Sequence, residues 1–164
     1  PWQDAVTLGI AENYYFHDMI KRLEKTLTGR TLILVERIIQ GEYLHQLMPH
    51  AHWISGRDPM KIRQPVINAL KKGEDATAIV MRHIITAGIN VKIHNLINAS
   101  GGTAGHNVKQ QIGRGLRTAG DKDILNYIDF IFHNSDYLEG HSKQRVKILK
   151  KEGHEVIVKK DVDF

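Results

Sequence analysis

Short apolar runs recur along the chain, and segments of mixed polarity separate them. Residues 31–35 (Thr-Leu-Ile-Leu-Val) form a continuous apolar run, which is typical of a strand that is buried on both faces. Similar runs predict further strands, with a last edge strand at the C-terminal end: residues 52–54, 76–81, 95–99, 124–132 and 156–158. The pattern therefore predicts a sheet whose strands lie in the interior of the protein.

Apolar residues at helical spacing occupy the segments between these runs. The first such helix ends at Gly29 and carries Phe16, Met19, Ile20, Leu23 and Leu27. A second is predicted at residues 41–48, where Pro49 closes it. Asp58 and Pro59 predict the start of a third, with the acid as N-cap and the proline at the first helical position. Pro65 inside this third helix should kink it or cost a hydrogen bond.

Two more helices are predicted in the C-terminal half. Thr103 can cap a helix whose core face is Ala104, Val108, Ile112 and Leu116. Residues 136–152 form a basic amphipathic helix, and Leu138, Val146 and Leu149 face inward. The basic residues of this helix are interpreted chiefly as a solvated face: Lys143, Arg145, Lys147, Lys150 and Lys151.

The alternation of strands and helices predicts the fold class. A chain of 164 residues is expected to form one domain with a substantial core. Strands that alternate with helices indicate an α/β fold, with a mostly parallel central sheet, right-handed crossovers and helices on both faces. Ligands on such sheets bind at the carboxyl ends of the strands.

Composition and charge exclude several function classes. The net charge of +5 and the pI of about 9.4 favour an anionic partner such as nucleic acid or a nucleotide. The chain has no cysteine, so disulfide and thiolate chemistry are excluded. No apolar run reaches the roughly 18 residues that a membrane span needs. The ten histidines show no helical metal-ligand spacing, so no metal site is predicted.

The most specific motif has the form Q-x-x-G-R-x-x-R, with Gln110, Gly113, Arg114 and Arg117 at its fixed positions. Arginines three apart lie on the same face of a helix, and each presents a planar fork of donors suited to phosphate oxygens. The chain has no P-loop lysine motif, because the dipeptide Gly-Lys never occurs. A phosphate-facing arginine pair without a P-loop indicates an arginine finger that acts on a nucleotide held elsewhere.

Polar residues follow the predicted strands at the positions where a parallel sheet binds ligands. These residues are candidates for contacts to nucleic-acid phosphates, which would be largely independent of base sequence: Arg37, Ser55, Arg57, Arg63, Arg82 and His83. Taken singly, each of them is as compatible with a solvated surface position as with phosphate contact.

With these motifs in view, residues 31–153 resemble the second RecA-like domain of superfamily-2 helicases. Residues 31–37 are similar to motif IV, residues 86–92 to motif V and residues 110–117 to motif VI, and the spacing among the three also matches. Residues 99–102 and 137–145 resemble the phage and prokaryotic repair and recombination helicases of the UvsW and XPB type.

The resemblance implies roles for individual residues. Arg117 would be the arginine finger, with Arg114 beside it at the phosphates. The remaining motif V and VI residues would shape the nucleotide site or couple it to nucleic acid: Gln110, Gly113, Thr86, Gly88 and Asn90. Asn90 stands where many relatives have Asp, so this position brings no charge.

The resemblance also implies partners. ATP with Mg²⁺ would be held mainly by a first RecA-like domain of the same polypeptide, and this chain alone would be inactive. Residues 1–30 would form an N-terminal helix and lead-in that pack on the helicase domain at residues 31–164. The nucleic acid would be DNA, with RNA not excluded, and the protein would be cytoplasmic, in a prokaryote or a phage-infected cell.

Two alternatives remain at the level of sequence. The same scaffold could serve as a non-catalytic nucleic-acid-binding module, since a fold does not fix a function. The chain could also be the motor part of a restriction system. A P-loop and an acidic Mg²⁺ motif upstream in the same gene would favour the helicase over the binding module.

Overall fold

The computed structural model describes residues 2–73, 75–86, 92–102 and 125–160. Within these ranges it contains five strands: β1 Thr31–Val35, β2 His52–Ile54, β3 Thr77–Met81, β4 Asn95–Asn98 and β5 Asn126–Ile128. Six α-helices accompany them: α1 Trp2–Val6, α2 Tyr14–Thr26, α3 Ile38–Leu47, α4 Met60–Lys72, α5 Arg82–Thr86 and α6 Asp136–Lys151. A π-helical turn, Thr7–Ala11, joins α1 to α2.

The five strands form one parallel sheet in the order β2-β3-β1-β4-β5. Thr31 at the start of β1 is paired with Thr77 of β3 on one side and with Asn95 of β4 on the other. Because the strands run in the same direction, their carboxyl ends meet at one edge of the sheet. The predicted α/β fold with a parallel central sheet is confirmed.

The core is built on the three interior strands, β3, β1 and β4, whose residues are all buried. Phe16, Ile20 and Leu23 of α2 belong to the same apolar cluster, as does Leu138 of α6. Complete burial of a Leu or Ile side chain contributes roughly 1.5–3 kcal/mol, so these contacts dominate the packing of the helices. None of the helices in the described ranges combines the length and apolar character that crossing a bilayer requires.

Two predicted helix starts differ from the structure. Helix α3 begins at Ile38, three residues before the predicted start. Asp58 does not cap α4, because its carboxylate accepts a hydrogen bond from the backbone of Ser55 at 2.6 Å, and Pro59 takes the N-cap position instead. Pro65 does lie inside α4, as predicted.

The predicted strand at residues 124–132 is much too long. After β5 the backbone N–H of Phe130 donates to the Asp129 carboxylate at 2.7 Å, and that of Phe132 donates to the Ser142 hydroxyl at 3.1 Å. These side-chain bonds replace the ladder that a longer strand would need.

Two further expectations about the C-terminal part are wrong. Residues 156–158 form no strand, and the side chains of Ile157 and Val158 are exposed. Arg145 is not on a solvated face, because only 1% of it is exposed. Of the three residues expected to face inward on this helix, Leu138 and Leu149 are buried, whereas Val146 is half-buried.

Candidate nucleotide and nucleic-acid interface

A row of polar residues lies at the carboxyl edge of the sheet. Glu36 and Arg37 follow β1, Ser55 to Arg57 follow β2, Arg82 and His83 open α5 directly after β3, Ser100 to Gly102 follow β4, and Asp129 follows β5. The residues that sequence reasoning selected after β1, β2 and β3 therefore share one edge with the exits of β4 and β5.

Arg82 forms a two-pronged ion pair with Glu36 across this edge. Its Nη2 lies 3.2 Å from Glu36 Oε1 and its Nε lies 3.0 Å from Glu36 Oε2. Burial raises the pKa of the Glu36 carboxyl, and the nearby charges of Arg82 and Arg37 counter part of that rise. The ion pair joins the ends of β1 and β3. The positive charge of Arg82 is therefore largely balanced by the Glu36 carboxylate within the protein.

Arg57 is the most accessible cation of the row. The turn before it is fixed by hydrogen bonds, since the backbone N–H of Arg57 donates to the Ser55 hydroxyl at 3.3 Å and that of Asp58 donates to the Ser55 carbonyl at 3.1 Å. The Arg57 side chain is exposed and makes no hydrogen bond or ion pair to the described part of the chain. Its guanidinium is therefore positioned to meet a ligand.

Gly56 brings two more candidates together. Arg63 of α4 donates from Nη2 to the Gly56 carbonyl at 3.2 Å. The imidazole of His83 packs against the α-carbon of Gly56, and a β-carbon at that position would collide with the ring. The tip of the β2 turn thus lies between an arginine and a histidine.

Arg37 occupies the N-cap position of α3 and is half-buried. Its Nε is buried and has no hydrogen-bond partner among the described residues. A buried donor without a partner is unfavourable in the free protein, and an anion bound at this edge would satisfy it.

Sequence reasoning missed Gln40, which is fully buried on α3. Its Oε1 accepts from the backbone N–H of Glu36 at 3.0 Å, and its Nε2 donates to the Ala99 carbonyl at 2.9 Å. Gln40 therefore links the exits of β1 and β4. No local pattern in the sequence marks it, because both of its partners are defined only by the sheet order.

Sequence reasoning also missed the pairing of Asp129 with Arg145. Arg145 Nε donates to Asp129 Oδ2 at 2.7 Å and its Nη2 donates to Oδ1 at 3.0 Å. The sequence did carry a signal for burial, since Leu138, Ser142, Arg145 and Leu149 recur at helical spacing and all four are buried.

Several predicted site residues lie outside the described residues: Gln110, Gly113, Arg114, Arg117, Gly88 and Asn90. The same holds for the helix predicted from Thr103. Thr86 is the last residue of α5. Within the described ranges, no group of three His, Asp or Glu side chains could hold a metal ion.

No protein-family model matches the chain, and no curated protein matches it by sequence. Solved structures match its fold. T4 UvsW gives a TM-score of 0.71 at 18% identity, covering 94% of this chain and 36% of that one. The C-terminal domain of the DEAD-box protein Dbp5 gives 0.66 at 16% identity, covering 84% of this chain and 78% of that one. S. cerevisiae Dbp5 bound to RNA and ADP BeF3 gives 0.64 at 16% identity, covering 85% and 37%.

These matches show that the chain has the RecA-like α/β fold found in the C-terminal domains of helicases. The resemblance drawn from the motifs is confirmed at the level of fold. The chain spans 36% of T4 UvsW, so the activity of a whole protein of that size rests on more than the present residues.

Proposed function

We propose that this chain is the second motor domain of an ATP-dependent superfamily-2 DNA helicase or translocase that acts in repair, recombination or branch migration. One observation carries the proposal: a RecA-like sheet collects Arg37, Arg57 and Arg82 at the edge where β4 also ends. From that end the sequence continues into the motif that holds Arg114 and Arg117. The likeness to T4 UvsW, and to Dbp5 bound to RNA and ADP BeF3, supports this proposal.

In the proposed mechanism the motif VI residues complete a nucleotide site between two domains. Arg117 reaches the γ-phosphate and Arg114 lies beside it, while Gln110 and Gly113 shape the approach. The fixed guanidinium charges neutralise negative charge that develops on the transferred phosphoryl group. ATP with Mg²⁺ supplies that group when bound. The described residues provide cations that suit phosphate oxygens, and we assign the Mg²⁺ ligands to the first RecA-like domain.

Motif V residues couple this site to nucleic acid in the proposal. We assign Gly88 to close approach at the interdomain face, with Thr86 beside it, and Asn90 to a hydrogen bond without charge. Phosphate contacts come from the sheet edge: Arg37, Ser55, Arg57, Arg63 and His83. Arg82 belongs to the same surface, but it shares its charge with Glu36 and contributes mainly by holding that surface together. Such contacts are independent of base sequence, as a translocating motor requires.

The test is ATP hydrolysis by the full-length protein, measured without nucleic acid, with single-stranded DNA, with forked DNA and with RNA of the same sequence. Arg117→Ala should lower kcat by roughly 10³-fold or more, because an arginine finger contributes on that scale. Arg22→Ala is the matched control, since Arg22 is exposed on α2 and pairs only with Asp18 among the described residues. Its turnover should equal that of the parent.

The outcomes separate the candidate functions. Hydrolysis that is stimulated by DNA and lost in Arg117→Ala supports the motor. Turnover that is unchanged in Arg117→Ala removes the finger assignment. No hydrolysis under any condition, together with retained DNA binding, would replace the motor with the non-catalytic binding module. Stronger stimulation by RNA than by DNA would change the substrate class and leave the motor intact.

A further inference from the structure

The loop that leaves β4, residues 99–102, is fixed by side chains from several elements. The backbone N–H of Ala99 donates to the Leu34 carbonyl at 2.9 Å, and its carbonyl accepts from Gln40 at 2.9 Å. The backbone N–H and hydroxyl of Ser100 both donate to Asn98 Oδ1, at 3.2 and 2.6 Å. The first half of the loop is therefore held on each side by buried polar groups.

The second half of the loop depends on two glycines. Gly101 has φ +71°, a conformation that favours glycine, and its α-carbon packs against Ile10. Gly102 packs against the Arg82 guanidinium so closely that a β-carbon would collide with it. Its carbonyl accepts a hydrogen bond from Arg145 Nη1 at 2.9 Å. Gly102 is the last described residue before residues 103–124, which contain Arg114 and Arg117.

Arg145 reaches this carbonyl from α6 while it is bound on its other side to the end of β5. Besides its two bonds to Asp129, its Nη2 lies 3.1 Å from the carbonyl oxygen of Phe130. Asp129 is itself anchored, because Oδ2 accepts from the Tyr127 hydroxyl at 3.2 Å and from Asn98 at 3.3 Å. One guanidinium thus connects α6, the exit of β5 and the exit of β4.

This arrangement needs the geometry of an arginine. The planar guanidinium directs its donors along fixed and different directions, so it binds a carboxylate with one side and a carbonyl with the other. A lysine ammonium is a single charge centre on a flexible stem, and it cannot reproduce both sets of bonds at once. A buried guanidinium needs acceptors for its donors, and one of the acceptors that Arg145 uses is the carbonyl of this loop.

We propose that Arg145 is a positioning residue for the arginine motif. It fixes the carbonyl of Gly102, and with it the point at which the chain enters the segment that carries Arg114 and Arg117. The inference rests on the proposed function and adds a residue that the motifs do not contain. Asp129 is its orienting partner, because the carboxylate sets the plane of the guanidinium.

The test compares Arg145→Lys with the parent in the full-length protein. The lysine keeps a charge next to Asp129 and loses the bond to Gly102. We expect kcat for DNA-stimulated ATP hydrolysis to fall by about 10- to 100-fold, since small misplacements of a catalytic group cost rates of this order. The KM for ATP and the Kd for DNA should stay within about threefold of the parent values, because binding groups are left in place. Backbone amides of residues 99–102 should also exchange faster with deuterium.

One control and one alternative variant separate positioning from general stability. Leu70→Ala removes buried apolar volume on α4, so it lowers Tm without touching the loop. At temperatures well below the Tm of every variant, it should keep the parent kcat and the parent exchange at residues 99–102. Where Arg145→Lys fails to fold, Asp129→Asn, which keeps the size of the side chain, should give the same selective loss of kcat.

Either folded variant with a kcat within twofold of the parent, in an assay where Arg117→Ala is inactive, would overturn the inference. An equal loss of kcat in Leu70→Ala would reduce Arg145 to a purely structural role and overturn it as well. Arg117→Ala with full turnover would instead remove the proposed function itself, so the two failures are distinguishable.

Discussion

At the scale of single residues, His17 shows how burial sets a charge state. The ring is fully buried on α2, with its centroid 6.4 Å from that of Tyr14 and 6.1 Å from that of Tyr43. Burial lowers the pKa of His17 below its ordinary value of 6.5, and the nearby backbone of Ile10 opposes this only in part. The folded protein therefore keeps His17 neutral at a pH where the unfolded chain already binds a proton.

The sign of the resulting pH dependence follows from this difference. The stabilisation is fully present above pH 6.5 and is lost as the pH falls from 6.5 towards the lower pKa of the folded state. The free energy of unfolding should decrease by at most about 1.4 kcal/mol per pH unit in that window. Urea unfolding of the chain at pH 7.5 and pH 5.5 measures this, and His17→Phe should flatten the curve.

The controls for that measurement use another histidine and an exposed glutamine. Burial, and secondarily the charge of Arg145, also lower the pKa of His141, so part of the slope should remain in His17→Phe. Gln144 is exposed and carries no titratable group, so Gln144→Ala should leave the slope unchanged. A slope that is the same in the parent and in His17→Phe would mean that His17 is protonated equally in the folded and unfolded chains.

At the scale of elements, α4 contains a proline that weakens it. Pro65 has no N–H to donate to the Lys61 carbonyl, and it is exposed in the middle of the helix. Pro65→Ala should raise the free energy of unfolding by about 2 kcal/mol. Alanine is much more favourable than proline inside a helix, and the greater conformational entropy of the unfolded chain without the proline offsets part of this gain. The midpoint of urea unfolding measures this. Lys61→Ala, on the same helix and exposed, should shift it by only a few tenths of a kcal/mol. An unchanged or lower midpoint in Pro65→Ala would show that the helix has adapted to its proline.

Elements with a local signal could be predicted from the sequence, and their ends could not. β1 and β2 stand at the predicted residues, and β1 is buried along its whole length, which requires apolar side chains throughout the strand. The end of β5 is set by the Ser142 hydroxyl, ten residues from its partner Phe132, and by the Asp129 carboxylate. Such bonds depend on the packing of α6 and leave no pattern in the neighbouring residues.

The same limit applies to the candidate site. The carboxyl edge could be predicted, because parallel topology brings the residues after each strand together. Which arginines are available to a ligand could not, because this depends on distant acidic partners. Arg82 meets Glu36 and Arg145 meets Asp129, whereas Arg57 has no such partner in the described ranges. Arg57 and Arg82 look alike in the sequence, and they differ only once the fold pairs Arg82 with Glu36.

At the scale of the whole molecule, the net charge of +5 acts through the cations that reach solvent at this edge. Each phosphate that a protein cation neutralises releases counterions, so the logarithm of the DNA binding constant falls linearly with the logarithm of salt concentration. Arg57 is exposed and unpaired within the described chain, so Arg57→Ala in the full-length protein should reduce the magnitude of that slope by about 1.

The salt slope of Arg82→Ala is the comparison for that of Arg57→Ala. Its charge is already balanced by Glu36 at 3.0 Å, so Arg82→Ala should leave the salt slope near that of the parent even where it weakens binding by loosening the edge. Titrations of fluorescent single-stranded DNA between about 50 and 200 mM salt give both slopes. Lys25→Ala, in the last turn of α2, serves as a control because α2 ends near the opposite edge of the sheet, where β1 begins. A slope reduced in Arg82→Ala and unchanged in Arg57→Ala would mean that DNA displaces Glu36 from Arg82, and that the binding surface is centred on β3 instead of the β2 turn.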